Sequence, residues 1–510
     1  MNNDTQHDTQ PDAQPPDIRE ADEHHHLRRR PERFAPEHRR VITRMFLPGG
    51  PERIHHTIDR VMGASEAVVV EKLDEIIREF EHRHRRFRRA LGRNAEAISR
   101  YVSPEVYNAM SEERKLFLGA CFTHEYSVSA AAMFNPSIVP APDQSDVPEG
   151  SLRIIISFRA TGEGHISSVE FRSGIVDPAC NIHFDPISPF LESPEISPDH
   201  SFENKLFRMK LQEIGLAGNL IEQVLDRLTE EFTMDDLIDV MSAIRDEDGA
   251  AYGLLEEGLR SIHWLAESNY TVRFPSEHSL SERVLFPVSD NERQGIEDAR
   301  FVRFVDDGDA TFVATYTAYN GVRILPQLIE TKDFITFKVS TLNGAAVENK
   351  GMALFPRKVK GEYVMLGRQD GENNYIMFSD NLHFWQEKEI LTMPRYSWEF
   401  IQVGNNGSPI ETERGWLVIT HGVGPMRKYC LGCLLLDLDD PRKVIARSRR
   451  PILCPNVEER DGYVPNVVYT CGVLVHNGQL LIPYAMSDSI SGFATLPLDS
   501  LLDSLETEEE

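Results

Sequence analysis

The sequence predicts an all-β fold, a five-bladed β-propeller, with an α-helical region added at the N-terminus and a helical insertion between blades one and two. Three observations carry this. A turn residue followed by a short apolar strand with a polar end recurs five times, over residues 151–159, 309–317, 361–368, 415–421 and 478–484. From Asp309 onward the copies start 52, 54 and 63 residues apart, about the length of one four-stranded blade. Two other stretches space their apolar residues as helices do, and one fills the overlong interval of 158 residues between Ser151 and Asp309.

Taken in order, residues 1–30 are polar, rich in Gln, Asp, Pro and His, and bury too little apolar surface to order themselves; a disordered tail is expected. Residues 31–125 form the helical N-terminal region. Val68, Leu73, Ile76, Ile77, Phe80 and Phe87 keep a helical period there and predict one long helix or a helical pair. Residues 126–195 hold the first blade and 196–268 the insertion, marked by the apolar spacing of Leu220 to Leu228 and Met234 to Met241. The remaining blades occupy 269–505. Basic clusters at 28–30, 39–40 and 82–86 read as solvated helix faces.

Composition narrows the chemistry. Lys and Arg total 54 against 81 Asp and Glu, a formal charge of -27, so whole-molecule repulsion disfavours nucleic acid. The same field repels phosphate, so any anion site must be a local cluster of inward basic side chains. Six cysteines in 510 residues make no disulfide framework, and no signal pattern opens the chain, which predicts a cytoplasmic protein. No apolar run reaches the ~18 residues of a membrane span. Cys430-Leu-Gly-Cys433 has metal or redox spacing, but residues three apart on a strand face opposite sides. His24-His-His26 lies in the tail, and no nucleotide-binding glycine loop is present, so no metal and no cofactor are expected.

A propeller packs its innermost strands around a central channel, so Arg159, Arg368 and His421, at the ends of repeated strands, should converge on one pocket. Gly295-Ile-Glu-Asp-Ala-Arg-Phe301 opens blade two. On a regular strand Asp298 and Arg300 share a face and Glu297 points away.

Eight ordered segments extend this pattern. They are Phe134-Asn-Pro-Ser-Ile138, Ser157-Phe-Arg-Ala160, Gly295-Ile-Glu-Asp-Ala-Arg300, Thr315-Tyr-Thr-Ala-Tyr319, Leu354-Phe-Pro-Arg-Lys358, Tyr363-Val-Met-Leu-Gly-Arg368, Gly415-Trp-Leu-Val-Ile-Thr-His-Gly422 and Leu435-Leu-Asp-Leu-Asp-Asp-Pro-Arg442. As a set, from about Phe134 to Leu502, they resemble glycoside hydrolase family 130, the mannoside phosphorylases and related β-mannosidases. The chain departs from the family pattern at Ala299, where a proline is expected, at Asn320, and in the looser turn 404–409.

The resemblance implies inverting cleavage of β-mannosides, β-1,2-linked ones foremost, with phosphate as co-substrate and mannose 1-phosphate as product. Asp298 matches the family's acid. Because phosphate arrives already nucleophilic, a second carboxylate to activate water is unnecessary. Burial must then offset the pull of Arg300 on the Asp298 carboxyl. Arg159, Lys358, Arg368 and His421 match phosphate-binding positions, and Asn135, Arg300, Tyr316 and Asp488 are candidates for holding the sugar. The expected partners are thus a mannosyl oligosaccharide and phosphate, and the helical surface leaves room for a homo-oligomer. A β-mannosidase that uses water would need a base such as Glu297, Glu372 or Glu399. A non-catalytic carbohydrate-binding propeller is the remaining alternative.

Overall fold

A computed structural model describes residues 26–197, 201–247, 252–321 and 324–507. Its strands pair as five consecutive antiparallel meanders of four. The first runs through Ala132–Pro140, Leu152–Thr161, Ser167–Val176 and Ile182–Phe184. The second runs through Gly295–Asp306, Asp309–Tyr319, Ile324–Thr331 and Thr336–Thr341. The third and fourth begin at Ala353–Leu354 and Gln402–Asn405. The fifth takes Val468–Tyr469, Gln479–Met486 and Ile490–Pro497 from the end of the chain and its outer strand, Arg28–Phe34, from the beginning.

Alternation of side chains along the strands explains why the meanders stack in a ring. In the third, Met365 packs with Val302 and Phe304 of the second, while Val364 and Leu366 pack with Trp416 and Val418 of the fourth. Leu480 and Ile482 of the fifth meet Leu417 and Ile419 of the fourth; Leu481, one residue on, meets Ile154 and Ile156 of the first. Ile155, Val169 and Phe171 of the first complete the circle against Ile296, Phe301 and Phe312 of the second. Each meander thus buries both faces on its neighbours, and every five-membered path through the cores returns to its start.

The five repeated segments form the second strand of each meander, not the innermost. Among the first strands, only Gly295–Asp306 of the second meander was read as opening a blade; those of the third and fifth, Ala353–Leu354 and Val468–Tyr469, are two residues long and leave no period to read.

Two expectations for the N-terminal part are corrected. Arg28, Arg29 and Arg30 belong to a strand rather than to the tail, because pairing with Thr495 and Ala494 satisfies their backbone and Arg29 meets Glu459 at 2.9 Å. Residues 1–25, with His24 and His25, lie outside the described ones. The apolar run read as one helix or a pair is three helices, Pro51–Gly63, Glu66–Phe80 and Phe87–Ser99. Ser65 starts the second by accepting a hydrogen bond from the Val68 amide, so the period carries across a break that composition hides.

Four helices, Asn204–Glu213, Gly218–Leu225, Met234–Glu247 and Tyr252–Glu267, share a separate core that includes Phe207, Leu211, Val224, Leu237 and Leu259. Lys210 and Glu213 fasten them to Leu342 and Gly344 in the second meander's exit loop. Cys430 forms a disulfide with Cys454, and Cys433 lies buried in the core between the fourth and fifth meanders. No helix among the described residues is long and apolar enough to cross a membrane.

Candidate active site

Arg300 marks the centre of the ring. Fully buried on the first strand of the second meander, it donates to the carbonyls of Gly351 and Asn405 at 2.5 and 3.2 Å and to the Tyr469 hydroxyl at 2.8 Å. These partners precede or belong to the first strands of the third, fourth and fifth meanders. Arg300 is therefore a tie beneath the site rather than a sugar contact on its wall.

Above it opens a cavity of about 340 Å³, lined by residues from all five meanders, among them Asn135, Arg159, Asp298, Arg368 and Asp488. Asn349, Lys350, Gln402, Arg427, Tyr429 and Tyr469 complete the polar lining.

Two β-bulges aim the acid. Between Glu297 and Arg300 the strand carries one residue more than its partner, and Asp298 adopts φ 55°. The first meander repeats the device between Phe134 and Ser137, with Asn135 at φ 47°. Asp and Asn tolerate this left-handed conformation better than other side chains. The paired bulges bring the Asn135 amide to donate to Asp298 Oδ1 at 2.7 Å. They also overturn the expectation of a regular strand. Arg159 donates to Glu297 at 2.6 Å and to Asp298 at 3.2 Å, so one guanidinium bridges both carboxylates. Glu297 is held behind Arg159 and does not line the cavity.

Burial pushes the Asp298 carboxyl up, but Arg159, Lys350, the Asn135 hydrogen bond and Arg300 outweigh it and hold the group at about 2. The expected offset by burial thus falls short of the surrounding positive charge, which favours the ionised carboxylate. Asp488, in a tight turn at φ 50°, behaves in the opposite way. Burial and the nearby Asp298 charge push its carboxyl up to about 6 against Arg159, Arg427 and Lys350.

His421 is buried and does not line the cavity. Its Nδ1 lies 2.5 Å from Asn406 Oδ1, and its Nε2 lies 3.1 Å from Arg368 Nη1. A guanidinium only donates, so Nε2 is the acceptor, Nδ1 carries the hydrogen and the ring is neutral. Burial, with Arg368 and Arg300, holds its pKa well below the usual value. His421 orients Arg368 rather than acting as a cation.

Two further candidates are elsewhere. Lys358 donates to Asp306 at 2.7 Å, at the far end of the strand Gly295–Asp306 and roughly 25 Å along it from Asp298. Tyr316 is sealed in the core, its hydroxyl donating to Glu292 at 2.5 Å and 2.7 Å from Gln327 Oε1. Tyr316 packs with Ala299 in the core shared by the first and second meanders, on the face away from the cavity. Lys350 takes the place expected for Lys358; its signal was the turn-forming Asn349-Lys-Gly351 just before a first strand. Of the carboxylates considered for activating water, Glu372 is exposed, and Glu399 is buried against Arg447 at 2.7 Å while accepting the Arg395 and Tyr396 amides; neither lines the cavity.

A family model described as beta-1,4-mannooligosaccharide phosphorylase, that of glycoside hydrolase family 130, matches residues 260–507. A 1,2-beta-oligomannan phosphorylase of Thermoanaerobacter sp. (strain X514) is 36% identical over 231 residues, 44% of this chain and 75% of that protein. The chain belongs to glycoside hydrolase family 130. Within this family of glycoside phosphorylases, a beta-1,2-mannobiose phosphorylase of Listeria innocua is 31% identical over 231 residues, 44% of this chain and 64% of that protein. A solved structure of the Listeria innocua beta-1,2-mannobiose phosphorylase with beta-1,2-mannobiose aligns at TM-score 0.45 and 22% identity, covering 74% of this chain and 93% of that one. Asn135 and Arg159 precede the residues matched by the family model; Asp298, Lys350, Arg368 and Asp488 lie within them.

Proposed function

We propose that this family 130 enzyme is an inverting β-mannoside phosphorylase, that the five meanders are the blades of a five-bladed propeller, and that β-1,2-linked mannosides are its substrates. The observation that carries the reading is the composition of the cavity wall. Asp298 stands among Arg159, Lys350, Arg368 and Arg427, while Glu297, Glu372 and Glu399 are all outside it. A cavity so rich in cations, in a chain of charge -27, suits an anionic attacker better than water. The names of the relatives support the β-1,2 linkage, since two of the more similar ones act on 1,2-linked mannosides.

In this reading Asp488 and Asn135 hold the mannosyl group, while Arg368, Lys350 and Arg427 hold phosphate. A phosphate oxygen attacks the anomeric carbon, the bond to the acceptor breaks, and the departing oxygen takes a proton supplied by Asp298 through a sugar hydroxyl. Asp298 must therefore gain a proton when the ligands bind. Phosphate supplies the means, because its charge opposes the fields of Arg159 and Lys350 that hold the Asp298 carboxyl low.

The test is turnover of β-1,2-mannobiose with and without phosphate, in wild type and Asp298→Asn. Mannose 1-phosphate should form only with phosphate, and the variant should lose roughly 10²–10⁴-fold in kcat. Equal release of free mannose in phosphate-free buffer would make the protein a hydrolase.

A further inference from the structure

A second cavity, of about 720 Å³, lies where the N-terminal strands, the helical region and the first meander meet. It shares no residue with the candidate active site. Five arginines line it: Arg33 and Arg39 from the N-terminal segment, Arg40 beside them, Arg83 from the corner after the helix Glu66–Phe80, and Arg172 from the first meander. Ile187, Pro189 and Phe190 add an apolar segment to the lining.

Most of the basic residues nearby are spent on ion pairs that dock the helical region. Arg85 pairs with Glu282 at 2.9 Å, Arg86 with Glu195 at 2.9 Å, and Arg88 with Glu81 at 3.2 Å. The cavity differs. Glu170 alone serves both Arg40 and Arg172, at 2.5 and 3.1 Å, and Glu125 serves Arg83 at 3.0 Å. Arg33 and Arg39 form no ion pair with a described carboxylate, and the one carboxylate on the lining is Glu37. Positive charge is thus left in excess in a chain that is strongly acidic overall.

Guanidiniums match phosphate oxygens in planar, bidentate fashion, and apolar side chains in the same cavity suit a flat ring. The volume falls within the ~300–1,000 Å³ of small-molecule sites. We propose that this cavity binds a nucleoside phosphate, its phosphates on Arg33, Arg39 and Arg83 and its base against Ile187, Pro189 and Phe190. Arg39, Arg40 and Arg83, from the clusters 39–40 and 82–86 read from sequence as solvated faces, then have a shared purpose where they converge.

Equilibrium dialysis of the full chain with radiolabelled ATP, AMP and inorganic phosphate tests this. A nucleotide should bind saturably below about 5 mM and at least about tenfold more tightly than inorganic phosphate. Binding should weaken at least about tenfold in Arg39→Gln/Arg83→Gln and stay unchanged in Arg368→Ala, whose side chain is in the other cavity. Arg39→Gln alone, an exposed and unpaired position, serves if the double variant fails to fold. Absence of saturable binding, equal affinity for inorganic phosphate, or weakening by Arg368→Ala but not by the Arg39 and Arg83 changes would each overturn the proposal. The Arg368→Ala arm also keeps this outcome separate from any failure of the phosphorolysis reading.

Discussion

Arg368 is useful only because its neighbours limit what it can do. His421 accepts from it through a neutral ring, and Gly351, with φ 88°, leaves room beside its Nε where a Cβ would come within 2.5 Å. The lysines give the plainest test of which cations matter. Lys350→Ala should raise the KM for phosphate about tenfold or more, the loss of one charge-assisted contact, whereas Lys358→Ala should leave it unchanged; initial rates at varied phosphate decide. Asp488 allows a pH prediction. Its carboxyl sits at about 6 in the folded protein against an ordinary 3.8, so the native state keeps this proton to higher pH than the unfolded chain does. The associated stability is complete below about pH 4 and is lost as pH rises through about 6. Asp488→Asn should therefore exceed wild type in stability near pH 7.5 by on the order of 1–2 kcal/mol and approach it near pH 4, as urea unfolding at the two pH values would measure, even as it impairs turnover.

At the scale of strands and turns, the site depends on interruptions in regular structure. Strand alternation placed Asp298 and Arg300 together and Glu297 apart, which a regular strand requires. The bulge broke that rule and put both carboxylates on Arg159. Nothing local in Glu-Asp-Ala-Arg announces the extra residue, although Asn135 and Asp298 are the residue types that bear left-handed backbone, and their matching places in two meanders were open to notice. Gly404 is another such position. A Cβ there would lie 2.8 Å from His421 Cε1 and 3.3 Å from Arg368 Cδ. Gly404→Ala should displace the pair and raise the KM for phosphate severalfold while changing the mannoside KM less; parallel titration of both substrates separates the two effects.

At the scale of the molecule, the ring is closed by the first described strand, Arg28–Phe34, pairing with Ile490–Pro497 of the fifth meander. Phe34 seats its ring 4.6 Å from Phe158 and 5.0 Å from Phe184, so the strand contributes to the core between the first and fifth meanders as well as to the sheet edge. Removing the chain through Phe34 should lower unfolding stability by at least the ~2–3 kcal/mol of one buried aromatic, and should leave the strand Ile490–Pro497 with an open edge prone to self-association. Denaturant titration and light scattering would record the two effects. Composition placed Arg28–Arg30 in a tail because a lone strand has no apolar signal of its own. Its order comes from residues more than 450 positions away.

Periodicity, turn residues and net charge act locally or as sums, and they were enough to establish five strand repeats, two helical regions and the need for a clustered anion site. Ordered motifs were enough for the family and singled out Asp298, Arg159, Arg368 and Asp488, four residues that line one cavity. Tertiary structure alone decided that Lys350 and not Lys358 lines the cavity, that Tyr316 serves the core, that Arg300 ties the meanders together and that His421 stays neutral. Each of these depends on which end and which face of a strand meets the central axis, and on what charge stands across it. Such relations arise only when segments far apart in the chain are brought within hydrogen-bonding distance.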